Sequence, residues 1–327
     1  MIPSLARMTA IGTYVPKSTL TNYDFEKMIE TSDAWIVQRT GIRERRVAAK
    51  DEYTSDLCIA AIKNLLERYP VSIEDVDFII VSTTTPDFPF PSVACQIQKA
   101  FGIQSTGAID ISAACAGFVY GLQLANALIT SGMNRKILVL GSEVLSKVTD
   151  YSDRSTCILF GDGAGVALVE KCEEESSFLY ATSGTDGKGG IHLYRTGLSS
   201  QIDTTTLSGN TKIVQNGREV FKFAVNTLTR EVPKIIHQAG FSLEQLDWFV
   251  PHSANQRIID AVCDRINFPK EKTLFSGEYF GNTSSASIPL ALQLGMDAGK
   301  LKKGDLILLS GFGGGLTHAH LLMKWTV

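Results

Sequence analysis

The spacing of apolar residues along the chain predicts alternating strands and helices. Short apolar runs bounded by polar residues, such as 78–81 and 306–309, predict buried strands. A spacing of three to four residues places Phe118, Leu122 and Ala125 on one helix face. This alternation continues over most of the chain, so we expect an α/β fold with largely parallel sheets and helices packed on their faces.

Two parts of the chain have the same predicted order of elements: helix, strand, helix, strand, helix, strand and a final strand. The predicted strands lie at 77–83, 106–112, 136–142 and 157–169, and again at 247–251, 272–276, 305–310 and 315–325. The predicted helices lie at 54–68, 92–101 and 116–131, and again at 218–239, 254–266 and 284–298. The segment 184–216 between them is rich in Gly, Ser and Thr, and we expect an irregular excursion there.

A sequence repeat relates the two parts at an offset of 170 residues. Residues 72–81 read SIEDVDFIIV, and residues 242–251 read SLEQLDWFVP. At the same offset, Leu122-Gln-Leu124 matches Leu292-Gln-Leu294, and Ile137-Leu138 with Gly141 matches Ile307-Leu308 with Gly311. We therefore expect a duplicated fold of two pseudo-symmetric halves, residues 1–171 and 172–327.

Composition limits the classes of function. The 327 residues are 44% hydrophobic and 20% charged, which is typical of a soluble globular protein. The net charge of −3 gives no support for a nucleic-acid binder. The six cysteines include no CxxC pair, so no zinc site is predicted and a reducing compartment is favoured. The sequence shows neither a signal-peptide pattern nor a run of about 18 apolar residues, so we expect a cytoplasmic protein outside the membrane.

Cys115 lies where a predicted short, buried strand meets a helix, in the sequence GAIDISAACAGFVYGLQLANALI of residues 107–129. A cysteine there can simply fill space in the core. It can also be a nucleophile, because the first turn of a helix carries unpaired N–H groups and partial positive charge that favour a thiolate. The small residues on both sides leave room for a substrate to approach.

Two polar residues of the second half occupy related positions. His252 lies in FVPHSANQRII and Asn282 in YFGNTSSAS, and the offset indicates that both follow strands. Considered alone, His252 is predicted to be a structural histidine, and Asn282 is predicted to be the N-cap of a helix. Sites in α/β sheets form beyond the carboxyl ends of strands. If the two halves face each other, Cys115, His252 and Asn282 come together in one crevice.

The remaining candidate motifs are less specific. GDGAG at 161–165 lacks the spacing of a phosphate-binding loop and predicts a turn before a buried strand. SGFGGG at 310–315 predicts either a tight turn or a backbone N–H aimed at a developing oxyanion. We expect structural roles for the other five cysteines, and no setting comparable with that of His252 for His192, His237, His318 and His320.

Taken together, these motifs resemble the thiolase-fold condensing enzymes, and above all the β-ketoacyl-acyl carrier protein synthase III family of Bacillus-like type. The resemblance covers nearly the whole chain and implies a thiolase-like duplicated α/β fold with mixed sheets and layered helices. The motifs that carry it are TSDAWIVQRTGIRERR (31–46), FPSVACQIQ (90–98), the Cys115 stretch, DRSTCILFGDGAG (153–165), NGREVFKFAV (216–225), VPHSAN (250–255), YFGNTSSAS and GFGGG.

The resemblance also implies roles for individual residues. It implies a catalytic set of Cys115, His252 and Asn282, and an oxyanion hole made by the N–H groups of Cys115 and Gly314. Phe90 is implied to lie near the partner's acyl pocket in a homodimer. The residues matching the family's coenzyme A channel are Trp35, Arg39, Arg154, Gly217, Phe221, Ala254, Asn255 and Arg257.

The implied partners are a short acyl-CoA and malonyl-acyl carrier protein. The implied reaction is a decarboxylative Claisen condensation through an acyl-Cys115 intermediate, which initiates fatty-acid synthesis. It requires neither a metal nor a redox cofactor. Acyl-CoA takes part as a substrate and not as a cofactor. A net-acidic chain must still bind an acidic carrier protein, and the helices predicted to border the channel mouth carry three basic residues for this, Lys222, Arg257 and Arg265.

Three other classes of protein stay open at this point. A cysteine hydrolase also combines Cys, His and Asn, although AACAG at 113–117 lacks the papain-like CGSCW. A condensing enzyme or acyltransferase of secondary metabolism shares the fold. A non-catalytic binding module leaves unexplained why three reactive residue types all fall at strand ends.

Overall fold

The strands form two larger sheets and three two-stranded ribbons. We describe them from a computed structural model, which covers residues 3–208 and 211–327. The strands are β1 (Ala6–Tyr14), β2 (Ser18–Thr21), β3 (Glu44–Val47), β4 (Phe78–Ser82), β5 (Gly107–Ile111), β6 (Lys136–Val144), β7 (Asp162–Lys171), β8 (Phe178–Thr185), β9 (Leu193–Arg195), β10 (Gln201–Ile202), β11 (Thr205–Thr206), β12 (Ile213–Gln215), β13 (Trp248–Pro251), β14 (Leu306–Gly313) and β15 (Thr317–Lys324).

Several helices begin at residues whose side chains cap the helix N-terminus. The Ser92 hydroxyl, for example, accepts a hydrogen bond from the N–H of Cys95 at the start of α4. None of the helices in the described ranges is long and apolar enough to cross a membrane. The helices are α1 (Asn22–Glu26), α2 (Asp33–Thr40), α3 (Thr54–Arg68), α4 (Val93–Phe101), α5 (Gly117–Thr130), α6 (Gly217–Gln238), α7 (Gln256–Ile266), α8 (Gly277–Phe280) and α9 (Ser287–Asp297).

The two larger sheets enclose a central layer of helices. Their strand orders are β1-β7-β6-β4-β5 and β13-β14-β15-β8. Between the sheets, residues of α5 such as Phe118 pack with residues of α9 such as Leu292, and with Val139 and Leu309 from the two sheets. Helices α3 and α4 cover the outer face of the first sheet, and α6 and α7 cover that of the second. The molecule is therefore built in five layers, with α5 and α9 in the middle.

The predicted duplication is visible in the elements. Strands β4 and β13, helices α5 and α9, and strands β6 and β14 are each related by the 170-residue offset. Both central helices follow a short 3-10 turn, Ala114–Ala116 before α5 and Ser284–Ala286 before α9. The first residue of each turn has a positive φ, 45° at Ala114 and 50° at Ser284. We call these turns the first and second elbows, and they contact each other.

Parts of the predicted pattern are wrong. The expected strand at 272–276 is absent, and a single bridge joins Thr273 to Phe249 there. The strand expected from residue 157 begins at Asp162, so most of GDGAG lies in β7 and not in a turn before it. Strand β5 is a sheet edge with Ile109 41% exposed, so it is not buried. The expected irregular excursion at 184–216 contains four short strands, while Gly209 and Asn210 lie outside the described residues.

Candidate active site

A cleft with a volume of about 760 Å³ contains the three predicted catalytic side chains, Cys115, His252 and Asn282. Its inner end is formed by the two elbows and by the end of β14. Its walls are completed by α2, by β9 and β12, and by the starts of α6 and α7. The sequence places these residues far apart along the chain, and the contact between the two elbows brings them together.

The small residues around Cys115 are required by close packing of the first elbow. A Cβ atom at Gly117 would lie 1.6 Å from Ser82 Oγ, and one at Gly313 would lie 2.9 Å from Cys115 Sγ. A Cβ atom at Gly311 would lie 2.6 Å from Ala116 Cα. The positive φ of Ala114 adds backbone strain of the kind often found at functional sites. The elbow is therefore pressed between β4 and β14 with little space for larger side chains.

Cys115 lies in the turn just before α5 and is mostly buried. Burial raises the pKa of its thiol to about 12, and a hydrogen bond with Ser284 acts in the opposite direction. The start of α5 also favours the thiolate. Burial dominates, so the resting side chain is a neutral thiol, and its proton has to leave as the sulfur attacks.

His252 follows β13 and is held on three sides. Its backbone N–H donates to Ser310 O at 2.8 Å, and its ring meets Phe312 edge-on at a centroid distance of 5.2 Å. Nδ1 lies 2.7 Å from the Ser287 hydroxyl. Burial lowers the pKa of His252 to about 3, so the imidazole is neutral at physiological pH. With Nδ1 occupied, Nε2 is the ring nitrogen left for a substrate.

The Ser287 hydroxyl determines which nitrogen of His252 carries the proton. The hydroxyl donates to Ser284 O at 2.8 Å, a carbonyl that also accepts the backbone N–H of Ser287. The Ser287 hydroxyl also accepts the backbone N–H of Ser253 at 3.3 Å. A donor role for Nε2–H of His252 therefore requires the Ser287 hydroxyl to turn from Ser284 O towards Nδ1, which lies 2.7 Å away.

Asn282 does not follow a strand, because the strand expected before it is absent. It follows α8 and Gly281, whose φ of 68° turns the chain into the second elbow. The side-chain oxygen of Asn282 accepts the Ser284 N–H at 2.9 Å, but Thr283 and Ala286 occupy the N-cap positions of the two helical segments that follow, so Asn282 is not the predicted helix N-cap. The NH₂ group of the same amide is then the part of Asn282 that can donate to a bound group.

Sequence reasoning missed three polar residues at the inner end of the cleft. Ser284 and Thr84 line it, and Glu143 lies directly behind both of them with no exposed surface. Ser284 lies in the YFGNTSSAS motif, but the motif alone indicates no role for it. A glutamate in the otherwise apolar strand KILVLGSEV was the available signal for Glu143, since isolated carboxylates are rarely buried without a reason.

The residues predicted to bind coenzyme A lie along the outer part of the cleft. Trp35, Arg39, Gly217, Phe221, Ala254 and Asn255 line it directly. Arg154 lies over the Trp35 ring at 4.8 Å and Arg39 at 5.9 Å, so the indole has two guanidinium groups close to it. Arg257 lies 5.9 Å from the Phe221 ring. Gly314 lines the cleft beside the first elbow.

The comparisons with known proteins agree with this geometry. Residues 109–187 match the model of 3-oxoacyl-[acyl-carrier-protein (ACP)] synthase III, and residues 236–325 match that of its C-terminal part. The chain is 59% identical over 322 residues to beta-ketoacyl-[acyl-carrier-protein] synthase III 2 of Bacillus subtilis, covering 98% of this chain and 99% of that protein. The chain belongs to the synthase III family. The resemblance seen in the motifs is thereby confirmed, including its Bacillus-like character.

Solved structures of synthase III proteins have the same fold. The enzyme from Thermus thermophilus superposes with a TM-score of 0.94 at 46% identity, covering 97% of this chain and 98% of that one. A priming β-ketosynthase of the R1128 polyketide pathway superposes with a TM-score of 0.91 at 34% identity, covering 98% and 96%. The predicted thiolase-like duplicated fold is therefore confirmed.

Other predicted residues of this synthase III chain lie outside the cleft. Phe90 is 85% exposed on the loop before α4. Lys222 lines a neighbouring cavity of about 440 Å³ beside α6. Arg265, in the last turn of α7, donates to Asn226 on α6 at 3.0 Å.

His318 and His320 have a setting that the sequence did not indicate. His318 Nδ1 lies 2.9 Å from His320 Nε2, and His320 Nδ1 lies 3.0 Å from the Ser310 hydroxyl. These side chains lie on the paired strands β15 and β14, and His318 lines the neighbouring cavity beside α6 and not the cleft. Together, the two histidines support the strand whose residue Ser310 also holds the backbone of His252.

Proposed function

We propose that the protein is a β-ketoacyl-acyl carrier protein synthase III that acts in the cytoplasm and initiates fatty-acid synthesis. It condenses a short acyl-CoA primer with malonyl-acyl carrier protein through an acyl-Cys115 intermediate. The observation that carries this proposal is the single cleft that ends on Cys115, His252 and Asn282. The names of its relatives, which are synthases of this type, support the same reaction.

In the first half-reaction, the sulfur of Cys115 attacks the thioester carbon of the acyl-CoA. Charge develops on the thioester oxygen, and the backbone N–H groups of Cys115 and Gly314 are proposed to stabilise it. Coenzyme A then leaves, and the acyl group stays on Cys115. Forming a covalent intermediate divides one difficult step into two easier ones.

In the second half-reaction, malonyl-acyl carrier protein loses carbon dioxide. The electron pair of the broken C–C bond becomes enolate charge on the thioester oxygen. His252 donates to that oxygen through Nε2–H, and Asn282 donates through its NH₂ group. The resulting carbanion attacks the acyl carbon on Cys115 and gives the β-ketoacyl product.

The outer cleft suits coenzyme A. The Trp35 indole can stack on adenine, while Arg39 and Arg154, which lie over that indole, can pair with phosphates. Asn255 fixes the geometry between two elements of this wall, because its Nδ2 donates to Arg39 O at 3.1 Å and its Oδ1 caps α7.

The carrier protein is proposed to dock on α6 and α7 beside the cleft mouth. Lys222 and Arg265 belong to these helices, and the bond from Arg265 to Asn226 joins them into one surface. Arg257 lies between that surface and the cleft, over the Phe221 ring. An acidic carrier protein would then meet positive charge where its acyl chain enters.

The active unit is proposed to be a homodimer formed along β5. This strand is an edge of the five-stranded sheet, and within residues 3–208 and 211–327 it pairs only with β4, so its outer edge faces away from the described chain. Ile109 on this strand and Phe90 on the adjoining loop are exposed apolar side chains that a second copy would cover. Phe90 would then reach the partner's acyl pocket.

Sedimentation at micromolar concentration tests the dimer. Ile109→Lys is expected to give monomers, because it places a charge within the proposed interface. Met133→Lys is the matched control, since Met133 is exposed in the turn before β6. A fully active wild-type monomer would refute the proposal.

Separating the half-reactions tests the catalytic roles. Cys115→Ala is expected to abolish acyl uptake but to keep measurable decarboxylation, which needs no nucleophile. His252→Ala and Asn282→Ala are expected to lose most decarboxylation, since one such donor is worth about 100- to 1000-fold. Intact mass after acyl-CoA treatment measures uptake, and carbon dioxide release measures decarboxylation. No carbon dioxide from Cys115→Ala, or wild-type release from His252→Ala, would contradict these roles.

A priming synthase of secondary metabolism is the second candidate. It is favoured by the structural likeness to the priming β-ketosynthase of the R1128 polyketide pathway. A turnover panel of straight and branched acyl-CoA primers with malonyl-acyl carrier protein distinguishes the two candidates. Efficient use of short straight or branched primers supports fatty-acid initiation. A cysteine hydrolase would instead release free acid from the acyl-enzyme.

A further inference from the structure

The part of the cleft proposed to bind the nucleotide of coenzyme A is built from two segments that are far apart along the chain. Helix α2 carries Trp35 and Arg39, and the segment between β6 and β7 carries Arg154. Arg154 is exposed, and its guanidinium lies over the Trp35 ring at 4.8 Å. This arrangement requires the backbones of the two segments to keep a fixed position relative to each other, so a group has to join them.

Arg45, which lies on β3 and has no exposed surface, joins these two segments. Its Nε donates to Ile158 O at 2.9 Å, and its Nη2 donates to the same carbonyl. Its Nη1 donates to the side-chain oxygen of Asn22, and the amide group of Asn22 donates to Asp33 Oδ1 and Ile42 O at 2.9 Å each. Asp33 begins α2 and Ile42 follows its end. Arg45 therefore connects the segment of Ile158 to both ends of this helix.

Stability alone does not account for a charged residue in this position. Burial lowers the pKa of Arg45 to about 10, which still leaves the guanidinium charged at neutral pH. Its described hydrogen-bond acceptors are two neutral oxygens, and its Cζ lies 4.9 Å from the centroid of the Phe25 ring. Burying a cation without a carboxylate partner is costly. What the guanidinium adds is a rigid fork that holds two acceptors in fixed directions.

The turn that carries Arg154 is closed by hydrogen bonds immediately before Ile158. Asp153 Oδ2 accepts the hydroxyl of Thr156 at 2.6 Å, and the backbone oxygen of Asp153 accepts the N–H of Cys157 at 2.9 Å. These bonds leave little freedom between the turn and the carbonyl that Arg45 holds. The position of the Ile158 carbonyl therefore determines where the backbone of Arg154 lies beside α2.

We infer that Arg45 is a positioning residue for the nucleotide of coenzyme A, an inference that rests on the proposed function. By fixing the Ile158 carbonyl and both ends of α2, Arg45 keeps Arg154 over Trp35, where a phosphate and adenine would bind. Binding of an acyl group offered on coenzyme A therefore depends on Arg45. Binding of a substrate without an adenine nucleotide, such as malonyl-acyl carrier protein or a short thioester, does not.

The catalytic residue nearest to this network is held by other bonds. Asn282 N donates to Leu159 O at 2.8 Å, and Gly161 N donates to Asn282 O at 3.1 Å. Neither bond involves the guanidinium of Arg45. The aliphatic stem of Arg45 does pack closely beside this residue, since a Cβ atom at Gly281 would lie 2.8 Å from Arg45 Cγ. A variant that keeps the stem and removes the guanidinium therefore separates nucleotide binding from the chemistry.

Three variants and one control test this role. Arg45→Met keeps the stem and removes the fork, and Arg45→Lys keeps the charge but has a single donor group. Asn22→Asp keeps the oxygen that accepts from Arg45, but it places a carboxylate oxygen beside Asp33 where the amide group donated. Arg43→Met is the control, because Arg43 lies just before β3 and its exposed guanidinium pairs with Glu278 at 3.0 Å.

Each variant is measured with and without the nucleotide. Acyl uptake in single turnover, followed by intact mass, is compared between an acyl-CoA and the same acyl group on N-acetylcysteamine. Carbon dioxide release from malonyl-acyl carrier protein, measured in a Cys115→Ala background, reports the enolate-binding groups. Amide hydrogen exchange over residues 33–42 and 150–158, without any substrate, reports whether the two segments stay joined.

Arg45→Met is expected to raise the acyl-CoA concentration that gives half-maximal uptake by about 10-fold or more, which is the order of one lost base–aromatic stack. Asn22→Asp should have the same effect, and Arg45→Lys should show a smaller rise. The maximal uptake rate, uptake from the N-acetylcysteamine thioester and carbon dioxide release should stay near the values of Arg43→Met. Hydrogen exchange should become faster in both segments.

A half-saturating concentration equal to that of the control would overturn the inference. An equal loss of uptake from both acyl donors would also overturn it, because that result indicates a purely structural role. If Arg45→Met does not fold, Arg45→Lys and Asn22→Asp decide the outcome by the same comparison. If the wild type takes up acyl groups from neither donor, the proposed function fails. Hydrogen exchange then still decides whether Arg45 joins the two segments, since unchanged exchange in its variants would refute the connection.

Discussion

Gly313 offers a direct test of how tightly the nucleophile is packed. In Gly313→Ala the new methyl group would lie 2.8 Å from Cys115 Cβ, 2.9 Å from Sγ and 3.1 Å from the backbone nitrogen. Carbon atoms in favourable contact are about 3.5–4.0 Å apart. The overlap is therefore about 0.7 Å or more against the cysteine side chain.

Neither side of this contact can move easily. Gly313 pairs with Thr317 between β14 and β15, and Cys115 is held within the first elbow by the hydrogen bond from Ala116 N to Ala113 O at 3.1 Å. Overpacking of this kind typically costs about 1–3 kcal/mol. Each kcal/mol lowers Tm by roughly 2–4 °C in domains of 150–250 residues.

Gly314→Ala is the matched control for stability. The nearest atoms to its new methyl group would belong to Leu193 and Ala114, at 3.4 Å or more, which is ordinary contact. We expect a change in the free energy of unfolding within about 0.5 kcal/mol. Thermal unfolding of both variants at one protein concentration measures the difference. Equal Tm values for the two variants would refute the packing described here.

Three further predictions concern the cleft and the proposed docking surface beside it. Because burial lowers the pKa of His252 to about 3, its imidazole stays neutral from pH 5 to 8. The rate of carbon dioxide release should therefore show no inflection in this range that depends on His252. An inflection near pH 6.5 that disappears in His252→Ala would contradict this. Trp35→Ala should weaken acyl-CoA binding by about 1–3 kcal/mol, the worth of one base–aromatic stack, measured as a rise in KM, with Trp35→Phe recovering part of it. Reversing the charges of Lys222, Arg257 and Arg265 should raise KM for malonyl-acyl carrier protein, as should added salt; an unchanged KM would reject the docking surface.

The sequence predicts the helices and central strands well because their apolar periodicity is strong. Helix α3 matches its predicted bounds of 54–68, and the 170-residue offset is visible in α5 and α9. Strand β1 has nine residues but was not predicted, and the other elements before residue 50 are shorter and have an irregular pattern that gives no comparable signal. The strand expected at 272–276 does not form because its two apolar residues, Leu274 and Phe275, pack into different clusters, and only a single bridge joins Thr273 to Phe249. The division of the chain after residue 171 stays a prediction.

The site was predictable only in part. Position at an element boundary and residue type identified Cys115, His252 and Asn282, which the cleft brings together. The sequence marks Glu143 only as a lone carboxylate in an apolar run, and it gives no local signal for Ser287. Their partners, Ser284 and His252, lie more than 30 residues away along the chain. The pKa of the Cys115 thiol could not be predicted from the sequence either, because it depends on how deeply the first elbow is buried.

The paired elbows have a consequence for the history of the chain. The 170-residue offset aligns Cys115 in the first elbow with Ser285 in the second. The buried hydroxyl of Ser285 donates a hydrogen bond to the backbone oxygen of Ser82. Two identical half-length ancestors meeting through these turns would have placed two equal nucleophiles side by side, each crowding the other's substrate. Once the copies are fused, each turn can change alone. One copy then supplies the nucleophile, and the other supplies the surroundings in which that nucleophile reacts.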